Sequence, residues 1–207
     1  MMRKVSGASE FFILGLYSFA GFGLEILLLI TEQYLFGVQF PDSLHWILTS
    51  ILWGGSCIVL IGLSKSKHGF DIMKEKQNPN LMQWGVAALI CVICITITTI
   101  VAGGFKLMQE SLNKTLLDLI FQNIYYVFES GLMLLTIIFG QQFGELLLKD
   151  NSIPYGGIFL ASTWGAIHFL TQDVLTGIYV IVISILYGII YLVLKKNTYY
   201  SDTIPLK

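Results

Sequence analysis

The sequence predicts an all-α integral membrane protein, a polytopic bundle of about six transmembrane helices that forms a single domain over residues 1–207. Three observations predict it. Of the 207 residues, 55% are hydrophobic and only 12% are charged, whereas about a quarter of the residues in soluble domains are charged. The mean hydropathy is +0.75. Apolar stretches of transmembrane length recur along the chain, so lipid is the solvent that this composition suits.

Each predicted helix is an apolar stretch long enough to cross the bilayer, which takes about 20 residues for about 30 Å of hydrocarbon. The first stretch is too long for the core of a signal peptide, and no A-x-A-like cleavage site follows it, so we expect it to be retained as a helix. The predicted spans are residues 11–31, 44–64, 83–104, 116–146, 154–171 and 174–194.

The distribution of basic residues predicts that both termini are cytoplasmic, because cytoplasmic loops of membrane proteins carry the excess of Lys and Arg. With the N-terminus inside, the external loops hold only Lys106 and Lys114. The internal segments then hold Arg3, Lys4, Lys65, Lys67, Lys74, Lys76, Lys149, Lys195, Lys196 and Lys207.

Several classes of function receive no support from the composition. A net charge of −1 provides no basic field for nucleic acid. The three cysteines lie inside apolar runs, where Cys behaves as a small hydrophobic residue. No recognised spacing of metal ligands is present, and we expect neither a metal nor a cofactor. The expected partners are the lipid bilayer and a peptide or membrane-protein ligand.

Polar residues inside the spans are the candidates for function, since ionisable groups are costly in lipid and usually face a bundle interior or a cavity. The fourth span carries Gln122, Tyr126 and Glu129 at steps of three and four residues, which places them on one helical face. The fifth span repeats this spacing with Ala161, Trp164, Gly165, His168 and Gln172.

A hairpin between these two spans places Glu129 and His168 at a similar depth. The polar turn around Asp150 separates the spans, with Glu129 twenty residues before Lys149 and His168 nineteen after it. Glu25 in the first span reaches a comparable level. A carboxylate facing an imidazole in a poorly hydrated bundle can hold a proton or polarise a water molecule. The same pair can instead tie two helices together, and the sequence leaves both interpretations open.

The hairpin resembles the CPBP family, the CAAX-protease and bacteriocin-processing membrane proteins. That family carries Glu-Glu-x-x-x-Arg on one helix and Phe-x-x-x-His on the next. The corresponding stretches here are Glu129-Ser130-Gly131-Leu132-Met133-Leu134 and Trp164-Gly165-Ala166-Ile167-His168, with Ser130, Leu134 and Trp164 departing from the pattern. The similarity covers about residues 70–195, and its motif-bearing core covers 115–195.

The resemblance implies peptide-bond hydrolysis within the membrane, with Glu129 activating water and His168 assisting. The polar positions and their helical spacing also predict that Glu25, Gln122, Tyr126, Trp164 and Gln172 line the substrate cavity or bind substrate. Two alternatives stay open, a non-catalytic immunity or regulatory protein that binds a partner, and a small proton-coupled carrier. The excess of Lys over Arg, with Arg3 alone, is typical of an AT-rich bacterial genome. The expected location is therefore a bacterial plasma membrane.

Overall fold

The computed structural model of the protein describes residues 7–74, 78–104 and 114–196, and the regular structure in these ranges is helical throughout. The helices are α1 (Ala8–Thr31), α2 (Asp42–His68), α3 (Leu81–Val101), α4 (Leu116–Leu148), α5 and α6 (Val174–Val193). Helix α5 has three consecutive parts, Tyr155–Leu160, a π-helical turn Ala161–Gly165, and Ala166–Thr171. A second π-helical turn, Glu32–Phe36, extends α1. The all-α polytopic architecture predicted from the sequence is confirmed.

Five of the described helices are long and apolar enough to cross a membrane, namely α1 with its π-helical extension, α2, α3, α4 and α6. Helix α5 is not among them, because its three parts, of six, five and six residues, are together shorter than the roughly 20 residues that a span requires. The predicted span 154–171 is therefore helical but irregular. The cytoplasmic location of both termini stays a prediction, since five of the basic residues on which it depends lie outside the described ranges. These are Arg3, Lys4, Lys76, Lys106 and Lys207.

Helix α4 forms the centre of the bundle and packs against α1, α2 and α5. Every residue from Leu132 to Gln141 is buried, on all faces of the helix. A helix segment that is buried on every face is surrounded by other elements of the bundle. Helix α6 packs against α5 on one side and α3 on the other, so α3 lies at the periphery.

Glycines permit close approaches of α5 to its two neighbours, α6 and α4. A Cβ atom built on Gly188 would lie 2.5 Å from the Cα atom of Gly157. On the α4 side, a Cβ atom on Gly156 would lie 2.2 Å from the carbonyl oxygen of Ile137. Helix α5 is thus held between α4 and α6 at backbone contact distance, as small residues allow in membrane bundles.

Capping and turn residues fix the ends of these helices. Asp173 caps α6, since its side chain accepts a hydrogen bond from the backbone N–H of Thr176. Thr115 caps α4 and forms a capping box with Asp118. The turn between α4 and α5 begins at Lys149, which has a left-handed backbone conformation.

Candidate functional site

A polar cavity of about 300 Å³ lies between α3, α4, α5 and α6. Two residues of its lining differ in exposure. Gln172 is exposed to solvent, whereas Tyr187 is only 8% exposed. The cavity therefore extends from the surface of the bundle into its interior. Its lining residues are Thr98, Glu129, Met133, Trp164, His168, Gln172, Thr176, Tyr179, Val180, Ile183 and Tyr187.

Glu129 reaches the cavity from the first half of α4. Met133, one helical turn further along, lines the same cavity, so both residues lie on the α4 face that is turned toward α5 and α6. The Oε2 atom of Glu129 is buried. The helix thus presents a carboxyl group to an enclosed polar space, where electrostatic interactions are less screened than in water.

His168 reaches the cavity from the last part of α5, immediately beyond the π-helical turn. Its Nδ1 atom lies 2.6 Å from the backbone carbonyl oxygen of Trp164, and the two aromatic rings meet edge to face at 4.7 Å. A carbonyl oxygen can only accept a hydrogen bond, so the Nδ1 atom must carry a hydrogen and act as the hydrogen-bond donor. In the neutral imidazole, Nε2 is then the acceptor. π-helical turns of this kind occur frequently at functional sites.

Helices α3 and α6 contribute the polar wall that the sequence analysis missed. Thr98 and Tyr179 join these helices through their hydroxyl groups, 2.9 Å apart. On α6, the lining residues fall on one helical face, which is a signal that a search of the sixth span for a shared face could have found. They are Thr176, Tyr179, Val180, Ile183 and Tyr187.

Four of the residues predicted from the sequence line this one cavity, namely Glu129, Trp164, His168 and Gln172. Gln122 and Tyr126 do not belong to its lining. Gln122 is buried and donates a hydrogen bond from Nε2 to the Tyr126 hydroxyl, at 2.8 Å. Glu25 also lies outside the cavity lining and belongs to a second polar cluster.

This second cluster joins α1, α2 and α4 and was not anticipated from the sequence beyond Glu25. The Nδ1 atom of His45 lies 2.7 Å from Oε1 of Glu32, and its Nε2 atom lies 3.4 Å from Oε1 of Glu25. Tyr125 donates its hydroxyl proton to the same Glu25 oxygen, at 2.9 Å. Glu32 is only 1% exposed and also accepts the backbone N–H of Phe40.

The second cluster does not have the geometry of a metal site. Glu25 and Glu32 contact opposite ring nitrogens of His45, so the three side chains cannot converge on one ion. Across residues 7–74, 78–104 and 114–196, no group of three His, Cys, Asp or Glu side chains is placed to hold a metal.

Comparison with known proteins assigns no family to the chain. No protein-family model, no curated protein and no solved structure matches it. The function of this protein must therefore be inferred from the geometry and chemistry of the cavity.

Proposed function

We propose that this protein hydrolyses peptide bonds within the membrane, with Glu129 as the general base and His168 assisting. The observation that carries the proposal is that both side chains line one polar cavity inside a bundle of apolar helices. Ionisable residues at membrane depth usually mark a functional site. The resemblance of the α4–α5 hairpin to the CPBP family adds a reaction class.

The proposed reaction uses one water molecule, held in the cavity between the two side chains. Glu129 takes a proton from this water as its oxygen attacks the peptide carbonyl carbon. The proton then passes to the departing amine nitrogen as the C–N bond breaks, which leaves a carboxylic acid and an amine. With Nδ1 donating to the backbone carbonyl oxygen of Trp164, His168 orients the water through its Nε2 atom.

The test incubates a panel of quenched fluorogenic peptides with the purified protein in lipid nanodiscs and measures their cleavage. Mass spectrometry of the peptides then checks the result. We expect Glu129→Ala and His168→Ala each to slow cleavage by about 100-fold or more, the size of a general-base contribution. Matched controls are Glu10→Ala and His68→Ala. The side chains of Glu10 and His68 contact each other at 3.0 Å, and both residues lie outside the cavity lining. Full cleavage by either cavity variant would contradict the proposal.

A second candidate function is favoured by the surroundings of Leu134. The CPBP pattern has Arg at this position, whereas Leu134 is 7% exposed and belongs to the hydrophobic core. A site without that guanidinium group suits a non-catalytic protein that binds a peptide or membrane-protein partner. In that case, site-specific crosslinking from the cavity would trap the same partner in wild type, Glu129→Ala and His168→Ala, and no peptide would be cleaved.

A further inference from the structure

The cavity combines a carboxylate with aromatic rings and contains no basic side chain apart from His168. Trp164, Tyr179 and Tyr187 contribute three rings, and Glu129 contributes the negative charge. None of the described lining residues is Lys or Arg. Aromatic faces attract cations through their quadrupole, and the attraction grows when the site is shielded from water.

The mouth of the cavity adds a second negative charge. Asp173 adjoins the lining residue Gln172 and accepts hydrogen bonds from the hydroxyl and the backbone N–H of Thr176, another lining residue. These hydrogen bonds hold the pKa of the Asp173 carboxyl below its usual value. Asp173 is therefore ionised at neutral pH, and its charge favours the entry of a cation.

No lysine of the described ranges lines the cavity. Lys149, Lys195 and Lys196 follow the far ends of α4 and α6, on the opposite side of the bundle from Asp173. Lys114 precedes α4, but its Nζ atom lies over the ring of Trp46, 4.8 Å from the ring centre. Among the described lining residues, Glu129 is the acidic one, and Asp173 lies next to the lining residue Gln172 in sequence.

We infer that the cavity binds an organic ammonium group, the chemical class of a lysine side chain. The rings of Trp164, Tyr179 and Tyr187 would contact the cation, and Glu129 would supply the compensating charge.

The size of the cavity agrees with a single side chain. Its volume of about 300 Å³ is at the small end of the range for ligand pockets. This inference deepens the proposed function, since it specifies a peptide substrate with a basic residue next to the cleaved bond.

The test measures binding without turnover, by calorimetric titration of the detergent-solubilised protein. The probes are N-acetyl-lysinamide and N-acetyl-norleucinamide, which differ in the terminal ammonium group. We expect the lysine probe to bind at least about tenfold more tightly to wild type. Glu129→Gln should remove most of this preference, and Glu10→Gln, a carboxylate outside the cavity lining, should keep it.

Equal binding of the two probes to wild type, or no binding of either up to about 10 mM, would overturn the inference. If Glu129→Gln does not fold, Trp164→Leu provides a second variant, which should also reduce the preference for the lysine probe. The result is separable from the proposed hydrolysis. Lysine-selective binding without cleavage of any peptide would retain the ammonium site and reject the hydrolase, whereas cleavage without lysine selectivity would do the reverse.

Discussion

The imidazole of His45 and the carboxylate of Glu32 form a short contact, 2.7 Å between Nδ1 and Oε1, at the junction of α1 and α2. Glu32 is 1% exposed and the His45 side chain is 12% exposed, so the contact is shielded from water. A comparable contact between Glu10 and His68, 3.0 Å long, joins the opposite ends of the same two helices. An imidazole–carboxylate contact therefore joins α1 to α2 at each end of the helix pair.

Removing the carboxylate of Glu32 should destabilise the protein strongly. Glu32→Ala leaves both His45 Nδ1 and the Phe40 N–H without the acceptor that they share. Breaking a buried pair by removal of one partner costs about 3–5 kcal/mol. Thermal unfolding in detergent can be monitored through the loss of the monodisperse species. This measurement should show a large decrease in Tm.

The control for Glu32→Ala is Glu10→Ala at the other end of the helix pair. The Glu10 side chain is 32% exposed, so water can replace part of the interaction with His68 that is lost when the carboxylate is removed. We expect a decrease in Tm well below that of Glu32→Ala. An equal decrease for the two variants would show that burial of the Glu32–His45 contact contributes nothing extra.

The contact between Gly157 and Gly188 should not tolerate a side chain. In Gly188→Ala, the new Cβ atom would lie 2.5 Å from both the Cα and the N atom of Gly157, and backbone atoms cannot move aside as a flexible side chain can. We expect α5 and α6 to separate, at a cost of about 1–3 kcal/mol. The measurement is again the unfolding temperature in detergent.

Gly62→Ala is the matched control, because a Cβ atom on Gly62 would meet nothing within 4 Å. Gly62 lies within α2, where Ala is favoured over Gly by about 1 kcal/mol. This variant should unfold at the same temperature as wild type or higher. Equal decreases in the unfolding temperature of Gly188→Ala and Gly62→Ala would indicate that the close approach of α5 to α6 does not cause the destabilisation.

The positions of the helices could be predicted from the sequence because the length of an apolar stretch is a local property. The pairing of Glu32 with His45 could not. It depends on how α1 and α2 are rotated about their own axes, and helices that are apolar on most faces give no periodic signal of that rotation. Glu32 also lies beyond the first predicted span, in a π-helical turn that extends α1.

The candidate cavity was partly predictable for a related reason. Glu129 and His168 are rare ionisable residues inside apolar stretches, and the turn at Asp150 gives their relative depth. The α6 wall contains Thr176 and Tyr179, whose hydroxyl groups are common in membrane helices and attract no attention individually. The π-helical turn in α5 also has no sequence signature that a hydropathy profile can detect.

Gln141 should be essential for the turn between α4 and α5. It is fully buried, accepts the backbone N–H of Gly156 at 2.9 Å, and donates to the carbonyl oxygen of Ile153 at 3.0 Å. Gln141→Leu keeps the volume but leaves the buried N–H of Gly156 without its acceptor, at a cost of about 1–3 kcal/mol. The carbonyl oxygen of Ile153 keeps a second donor, the backbone N–H of Tyr155. Gln142→Leu, one position further along, changes a half-buried side chain and should alter the Tm far less.

Acid should loosen the segment after α2, through the carboxyl group of Asp71. Its Oδ2 atom lies 2.9 Å from Nζ of Lys65, and this interaction holds the pKa of Asp71 below its usual value. A lowered carboxyl pKa in the folded state stabilises the fold above about pH 4, and the contribution is lost as the pH falls through the folded-state pKa. Hydrogen exchange can report this, because the Met73 N–H donates to Oδ1 of Asp71.

We expect the protection factor of the Met73 amide to fall on acidification in wild type and to be low at every pH in Asp71→Ala. Lys65→Gln should shift the fall in protection to higher pH, because the carboxyl group then loses the cation that favours its ionised form. Lys67→Gln is the matched control, a change of the same charge on the same helix, and Lys67 is not the partner of Asp71. A profile for Lys65→Gln identical to that of Lys67→Gln would mean that the Lys65–Asp71 contact does not organise this segment.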